Sequence, residues 1–357
     1  MNITEILQTM IKSGISDIHF KADSSPLIRL HGKLMPTKTQ SLSPKNIEEL
    51  AYSLMSKEQQ TKFEQENELD MSYSIEGLSR FRINIYRQRG TPALTLRVVP
   101  TKIKTFEELN LPATVLKKLS SEPRGLILIT GVTGAGKTTT LNSMLDSINT
   151  NFNYNIVTVE DPIEFCHKDK KSSISQREVG TDTKSFKNAL KYVLRQDPDV
   201  VVMGEMREFD AMSAGITAAE TGHLVISTIH TIDSVQTIDR IIDSYPEHQQ
   251  KQVRSQLSNV LKGVIGQRLC HTVDGEGRIP AIEILVGNST IRKLIIENKT
   301  QDIYKAMELG GYYSMQTFDQ SLQKLCQENK ITLEEALDKS TNPEDLKLKL
   351  KGITGGE

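Results

Sequence analysis

Hydrophobic and polar residues alternate between residues 72 and 99, which is the pattern of half-buried β-strands. Phe81, Ile83 and Ile85 fall on one face of such a strand, and arginine and asparagine fall on the other. A glycine and a proline indicate a turn before the alternation resumes. This part of the chain predicts a small α+β domain that ends near residue 100.

A different pattern begins after residue 123, where short apolar runs alternate with helical segments. The runs cover residues 126–129, 156–159, 200–203 and 224–227. Apolar runs of this length, separated by helices, are typical of a parallel sheet that is covered on both faces. We therefore expect an α/β fold for this part of the chain.

These patterns divide the chain into five segments. They are an N-terminal α+β domain (1–100), a linker (101–123), an α/β core (124–270), a mostly helical subdomain (271–350) and a disordered, glycine-containing tail (351–357).

Residues 131–138, G-V-T-G-A-G-K-T, match the phosphate-loop pattern in full, follow an apolar strand and open a helix. Glycines let the backbone N–H groups converge on phosphate oxygens, and the helix N-terminus adds a partial positive charge. Lys137 is expected to reach the β- and γ-phosphates of ATP, and the Thr138 hydroxyl to ligate Mg²⁺. The alternative is a glycine-rich turn without a ligand. The expected nucleotide-contacting residues are Gly131, Thr133, Gly134, Ala135, Gly136, Lys137, Thr138 and Thr139.

Carboxylates follow the next two apolar runs, and ligands of open α/β sheets bind at such strand ends. Glu160 and Glu164 are both candidates for the group that directs water at the γ-phosphate, although a solvated acidic loop is the alternative. Glu205 ends the run at 200–203 and is predicted to hold Mg²⁺, directly or through water, as a Walker-B-like acid.

Histidines bracket the last run, with His223 before it and His230 after it. A histidine taken alone is often a structural residue, because either ring nitrogen forms hydrogen bonds. The position of His230 at a strand end predicts a contact with the γ-phosphate.

Five arginines and no acidic residue lie between residues 80 and 97. The alternation places Arg82 and Arg97 on the polar faces of their strands. Their planar guanidinium groups suit a phosphate bound by another domain or subunit, as in an arginine finger. The alternatives are a solvated polar face or a weak nucleic-acid patch.

Composition limits the possible partners. The 357 residues carry a formal net charge of -1, which argues against a surface built as a whole for nucleic acid or anionic lipid. The three cysteines are widely spaced, so neither disulfides nor a zinc site is expected. Apolar runs are far shorter than a membrane span, and any membrane contact is therefore expected to go through a partner.

The motifs together resemble the secretion-superfamily hexameric ATPases of type IV pilus and type II secretion machines, and within them the pilus retraction branch. In chain order they are S-D-I-H (16–19), the phosphate loop, V-T-V-E-D-P-I-E-F (157–165), Q-R-E-V-G (176–180), L-R-Q-D-P-D (194–199), G-E-M-R (204–207) and E-T-G-H-L-V-I-S-T-I-H-T (220–231). Residues 290–295, T-I-R-K-L-I, resemble imperfectly a helix associated with retraction.

The resemblance implies a PAS-like domain before a RecA-like P-loop NTPase domain, and a ring of six subunits with ATP bound between the two domains. It assigns the catalytic glutamate to Glu164 and the Walker B acid to Glu205. It also places His223 and His230 among its functional histidines, and Arg82 and Arg97 as arginines offered to phosphate.

The expected function is a Mg²⁺-dependent ATPase motor that drives pilus retraction from the bacterial cytoplasm, peripheral at the inner membrane. Implied partners are a platform protein in that membrane and a paralogous retraction ATPase, and no nucleic acid is expected. A pilus extension or type II secretion ATPase, an accessory ring and a nucleic-acid translocase are the alternatives. Extension and secretion relatives usually carry a further N-terminal domain and a four-cysteine motif, and their absence here favours retraction.

Overall fold

The computed structural model describes residues 3–30, 32–75 and 79–351. The chain forms two compact units, Met1–Lys102 with Glu164–Cys166, and Ile103–Ile163 with His167–Glu357. The tail predicted to be disordered lies outside the described residues, apart from Lys351. No helix within the described ranges is both long and apolar enough to cross a bilayer.

The first unit is a six-stranded antiparallel sheet covered on one face by helices. Its elements are α1 (Ile3–Lys12), β1 (Ile15–Phe20), β2 (Leu27–Leu30), β3 (Lys33–Pro36), α2 (Pro44–Leu54), α3 (Lys57–Glu66), β4 (Glu68–Ile75), β5 (Ser79–Gln88) and β6 (Thr91–Val98). The strand order is β3-β2-β1-β6-β5-β4. Phe81, Ile83 and Ile85 are buried against the helices, as the alternation predicts. The polar face of the sheet therefore carries Arg80 and Arg82 of β5 and Arg97 of β6, whereas Arg87 lies on the other face, over the Phe63 ring.

The predicted turn between β5 and β6 is shorter than expected. Arg89 and Gly90 both have positive φ, 51° and 81°, which suits a two-residue hairpin. Pro92 lies beyond this turn, inside β6 and opposite Arg87.

The second unit is a seven-stranded sheet between helical layers. Its elements are α4 (Ala113–Ser120), β7 (Gly125–Thr130), α5 (Lys137–Asn151), β8 (Asn155–Glu160), β9 (Ser173–Glu178), α6 (Phe186–Val193), β10 (Val200–Met203), α7 (Phe209–Glu220), β11 (Leu224–Ile229), α8 (Ser234–Asp243), α9 (Glu247–Val260), β12 (Leu261–His271), β13 (Arg278–Val286), α10 (Ser289–Ile296), α11 (Ile303–Glu308), α12 (Phe318–Gln327), α13 (Leu333–Lys339) and α14 (Pro343–Leu350).

The strand order β13-β12-β7-β11-β10-β8-β9 is parallel except for the β12–β13 pair. The four predicted apolar runs fall within β7, β8, β10 and β11, and alternate residues of β7 pack into two separate cores, one on each face of the sheet. Because these strands are parallel, their carboxyl ends share one edge, where the loops with the candidate residues begin.

Strand β13 was not predicted, because residues 271–350 were expected to be mostly helical. It pairs with β12 from Gly263 opposite Val286 to His271 opposite Arg278, so the boundary drawn at residue 270 falls inside a β-hairpin. Its sequence R-I-P-A-I-E-I-L-V is buried on both faces and shows no clean alternation, so periodicity does not separate it from a buried helix. The other domain boundaries stay predictions.

Candidate nucleotide-binding site

The phosphate loop connects β7 to α5, and its three glycines have positive φ angles of 149° at Gly131, 81° at Gly134 and 92° at Gly136. A Cβ atom at Gly131 would lie 2.5 Å from the carbonyl oxygen of Gln267, and one at Gly136 would lie 2.7 Å from the Nε2 atom of Gln267. Gly134 has open space around it. The atoms of Gln267 thus leave no room for a side chain at Gly131 or Gly136. At Gly134 only the positive φ angle requires glycine.

Helix α5 begins at Lys137, directly after Gly136, and no described side chain caps it. The backbone N–H groups of its first turn are therefore available to an anion, and the helix dipole favours one there. Thr138 and Thr139 lie half-buried in this first turn, while Ala135 is buried and Thr133 is exposed in the loop.

The ammonium group of Lys137 is held inside the loop. Its Nζ atom donates to the carbonyl oxygens of Gly131 at 2.7 Å and Val132 at 3.0 Å, and the residue is 6% exposed. The positive charge is thus fixed among the N–H groups that a phosphate would contact.

Gln267 on β12 supports the loop from the neighbouring strand, and the sequence analysis missed it. Its Oε1 atom accepts a hydrogen bond of 2.7 Å from the Thr140 hydroxyl of α5, and the residue is 4% exposed. A buried glutamine among the apolar residues of β12 has no local pattern that reveals which element its side chain contacts.

Glu205 and His230 follow β10 and β11, which are neighbours in the sheet. The Nε2 atom of His230 lies 3.3 Å from Oε1 of Glu205, and the Nε atom of Arg207 contacts the same oxygen. Burial lowers the pKa of His230, and the positive charge of Lys137 lowers it further. The structure therefore brings together three predicted residues, Lys137, Glu205 and His230, and adds Arg207.

His223 and His230 lie at opposite ends of β11, a strand of six residues that is about 20 Å long. The Nδ1 atom of His223 lies 3.0 Å from the carbonyl oxygen of Ala218 and 3.2 Å from the Thr221 hydroxyl, at the end of α7. These contacts are those of a structural histidine in the turn before β11.

Glu160 and Glu164 have different environments. Glu160 is 5% exposed, and its Oε1 atom accepts hydrogen bonds from Thr158 at 2.6 Å and Gln176 at 3.1 Å. The Glu164 side chain is 45% exposed and lies 3.7 Å from Nη1 of Arg82, within the first unit. The exposed carboxylate is the more accessible to a water molecule, which favours Glu164 over Glu160 as the candidate base.

Arg82 and Arg97 lie directly opposite each other in the β5–β6 pair, so both project from the polar face of the sheet. The Nε atom of Arg97 lies 2.6 Å from Oδ1 of Asp17, and the Arg97 side chain is 61% exposed. The structure thus brings the two predicted arginines together.

His167 makes a contact with α5 that the sequence analysis did not predict. Its Nε2 atom lies 2.7 Å from Oδ1 of Asn142, and the Asn142 amide donates to the carbonyl oxygen of Thr138 at 2.8 Å. Burial lowers the pKa of His167 to about 4, so the imidazole is neutral at physiological pH.

No group of three or more potential metal-ligating side chains occurs within the described residues. Mg²⁺ in nucleotide sites needs no such group, because one or two protein oxygens complete a shell of phosphates and water. The Thr138 hydroxyl at the start of α5 and the Glu205 carboxylate after β10 are suitable oxygen donors of this kind.

A phosphate loop after one strand of a parallel sheet, with an acid and a histidine after the next two strands in the sheet, defines a P-loop nucleotide-binding protein. A family model described as type II/IV secretion system protein matches residues 1–338. The chain belongs to this family.

Individual relatives are similar along nearly the whole chain. The type IV pilus retraction ATPase PilT of Pseudomonas aeruginosa is 42% identical over 345 residues, which cover 97% of this chain and 100% of the relative. The type IV pilus ATPase PilU of the same organism is 37% identical over 351 residues, with 98% and 92% covered. A crystal structure of the pilus retraction motor PilT with bound ADP matches with a TM-score of 0.90 and 45% identity, over 97% of this chain and 99% of that one.

Proposed function

We propose that this protein is a hexameric, Mg²⁺-dependent ATPase motor that powers type IV pilus retraction and hence twitching motility. The observation that carries the proposal is the convergence of Lys137, Glu205 and His230 at the phosphate-loop edge of the sheet. Similarity to a retraction ATPase over the full length of that relative supports retraction rather than extension.

In this proposal the second unit contains a RecA-like core with its nucleotide-binding part at 124–270, and the first unit is PAS-like. Six copies form the ring, which works in the bacterial cytoplasm against a platform protein of the inner membrane. A paralogous retraction ATPase is a further partner, and nucleic acid is not a partner.

The loop N–H groups and the first turn of α5 bind the β- and γ-phosphates of ATP, and Lys137 neutralises part of their charge. Thr138 and Glu205 would hold Mg²⁺, which would neutralise part of the phosphate charge. The neutral imidazole of His230 donates a hydrogen bond to Glu205 and keeps this carboxylate in place.

Glu164 orients the attacking water and accepts its proton, and Arg82 and Arg97 stabilise the negative charge that develops on the transferred phosphoryl group. Arg82 lies 3.7 Å from Glu164 in the structure, so its positive charge lies beside the group that orients the water. Neighbouring subunits of the ring supply or receive these groups.

Live imaging of labelled pili tests the proposal in cells that carry wild-type protein, Glu164→Gln or Lys137→Ala. Both variants are expected to extend pili and to fail to retract them. Glu64→Gln is the matched control, since Glu64 also pairs with an arginine of β5, Arg87 at 3.0 Å. Loss of all pili in the Glu164→Gln cells would assign extension or secretion instead.

An accessory ATPase is the second candidate, because the similarity to PilU also extends over nearly the whole chain. Deleting the gene in cells that keep another retraction ATPase distinguishes the two. Retraction at the wild-type rate would assign the accessory role, and its loss would assign the main motor. ATP turnover that rises on addition of DNA, with a steep dependence on salt, would contradict both and indicate a translocase.

A further inference from the structure

A row of charged residues crosses the polar face of the sheet in the first unit. Asp17 on β1 lies opposite Arg29 on β2 and opposite Arg97 on β6, and Arg97 lies opposite Arg82 on β5. Directly opposed residues of antiparallel strands have their Cβ atoms about 5 Å apart on the same face. Three arginines thus share a row with the Asp17 carboxylate, and Glu164 lies 3.7 Å from Arg82. The positive charges still outnumber the two carboxylates, which suits an anionic ligand.

Asp17 is the buried member of this row, with 3% of its surface exposed. Its Oδ1 atom lies 2.6 Å from Nε of Arg97, its Oδ2 atom accepts from the Ser16 hydroxyl at 2.8 Å, and Nε of Arg29 is 3.9 Å away. Burial alone would raise the pKa of Asp17, but the hydrogen bonds from Ser16 and Arg97 and the Arg97 charge hold it below its ordinary value. The carboxylate is therefore ionised at neutral pH.

Arg97 has the opposite character, because its side chain is 61% exposed although its Nε atom is fixed. Within the described residues, the carboxylate of Asp17 is the group that its guanidinium contacts. The guanidinium is planar, so a hydrogen bond at Nε fixes the plane in which the four Nη hydrogens lie. Those donors remain accessible on the face that also carries Arg82.

We propose that Asp17 is a positioning residue that fixes the Arg97 guanidinium for contact with a phosphate group of the nucleotide. Without the Asp17 carboxylate, Arg97 would stand directly opposite Arg82 and lose its own ion-pair partner, and like charges in this relationship repel. The S-D-I-H motif at residues 16–19 thereby acquires a role, since Ser16 and Asp17 form the support of the arginine. His19 adds a second contact between the same strands, with Nδ1 3.2 Å from the Thr95 hydroxyl.

This inference rests on the proposed role of Arg97, and the competing explanation is that the pair only stabilises the sheet. If the pair is only structural, its removal should lower the thermal midpoint of unfolding and leave the turnover of the folded protein unaltered. If Asp17 positions Arg97, removal of the pair should lower kcat with little change in ADP affinity, because the arginine acts on charge that develops at the γ-phosphate.

The experiment uses the purified full-length protein with Asp17→Asn, Asp17→Ala, Arg97→Ala and the double variant Asp17→Ala/Arg97→Ala. Asp17→Asn keeps the volume and an acceptor for Nε but removes the charge, so it reports on position even if Asp17→Ala folds poorly. Glu64→Gln is the control, because it weakens another Arg–carboxylate pair of this unit, Glu64 with Arg87 at 3.0 Å. ATP turnover, ADP affinity and the thermal midpoint are measured for each.

We expect Arg97→Ala to lower kcat about 100-fold and Asp17→Ala about tenfold, with a smaller loss for Asp17→Asn. The double variant should be no slower than Arg97→Ala, because Asp17 acts through that residue. Full turnover in both Asp17 variants, or losses that multiply in the double variant, would overturn the inference. Full turnover in Arg97→Ala would overturn the arginine assignment itself, whereas an inactive wild-type protein would count against the proposed function as a whole.

Discussion

The Nε2 atom of His230 lies 3.3 Å from the Oε1 atom of Glu205, so the residues that follow two neighbouring parallel strands form one pair. Burial, and then the charge of Lys137, lower the pKa of His230. A neutral imidazole can place its single N–H on Nε2 and donate it to the carboxylate. The pair thus gives the Walker-B-like acid a fixed direction relative to the phosphate loop.

Replacing His230 by alanine should lower kcat by at least tenfold with a small change in the thermal midpoint, because Glu205 loses one of the two groups that hold its Oε1 atom. Steady-state ATP turnover and a thermal melt test this. The control is His248→Ala, since His248 is exposed on α9 and its Nε2 atom lies 3.2 Å from the amide of the neighbouring Gln249. Equal turnover of the two variants would contradict the role given to His230.

Gln267→Ala should weaken nucleotide binding about tenfold, because Thr140 of α5 loses its acceptor and Gly136 loses the side-chain amide beside it. A destabilisation of roughly 1 to 3 kcal/mol should accompany the loss of this buried hydrogen bond. ADP titration and urea denaturation measure the two effects. In the control, Gln256→Ala, the lost hydrogen bond is an exposed one to Glu220. Unchanged ADP affinity in Gln267→Ala would show that Gln267 supports the fold alone.

His167 should make the protein less stable in mild acid. Its pKa falls from an ordinary value of 6.5 to about 4 in the folded protein, so the unfolded chain binds a proton first as the pH decreases through 6.5. The free energy of unfolding should therefore fall by about 2 kcal/mol between pH 7.5 and pH 5 through this residue.

The variant His167→Gln should lack this part of the pH dependence, because glutamine still offers a donor to Asn142 and does not titrate. Urea denaturation at the two pH values measures the difference from wild type. Replacing the exposed His248 by glutamine serves as the comparison. A wild-type pH dependence in His167→Gln would mean that the imidazole is not buried as neutral His.

Glu283 should make the protein less stable as the pH rises, whereas His167 makes it less stable as the pH falls. Glu283 lies on β13 with 2% exposure and accepts hydrogen bonds from the backbone N–H and hydroxyl of Ser234, at 2.8 and 2.7 Å. Burial raises the pKa of Glu283 from 4.5 to about 7, in spite of these hydrogen bonds. The unfolded chain therefore loses its proton first as the pH rises, and stability should decrease by roughly 2 to 3 kcal/mol between pH 5 and pH 8.

The same denaturation measurement on Glu283→Gln should show a flatter profile across that range. Glu334→Gln is the control, because Glu334 is exposed on α13. Identical slopes for wild type and Glu283→Gln would show that the buried carboxyl keeps an ordinary pKa.

The sequence alone predicted the features whose signal lies in neighbouring residues. The alternation around Phe81, Ile83 and Ile85 identified the buried face of β5, because a strand displays its two faces at every second residue. The phosphate loop was equally recognisable, since its chemistry requires glycines, a lysine and a hydroxyl at fixed spacing. The order of apolar runs also predicted the parallel strands.

Residues that act through distant partners were not predictable in this way. Gln267 supports Thr140 from 127 positions further along the chain, and Asp17 contacts Arg97 across 80 positions. No local pattern identifies the partner of either residue, because strand order rather than spacing determines it. Strand β13 was missed for a related reason, as both of its faces are buried and its apolar residues show no period.

The position of β7 in the sheet affects how the protein folds during its synthesis on the ribosome. This strand leads directly into the phosphate loop, but its two neighbours, β11 and β12, come much later in the chain. At 5 to 20 residues per second, the 127 residues between Thr140 and Gln267 take roughly 6 to 25 s to translate. Until β11 emerges, both edges of this apolar strand lack partners, and the edge that pairs with β12 stays open for the whole interval. The nascent chain is therefore expected to bind chaperones that shield such segments.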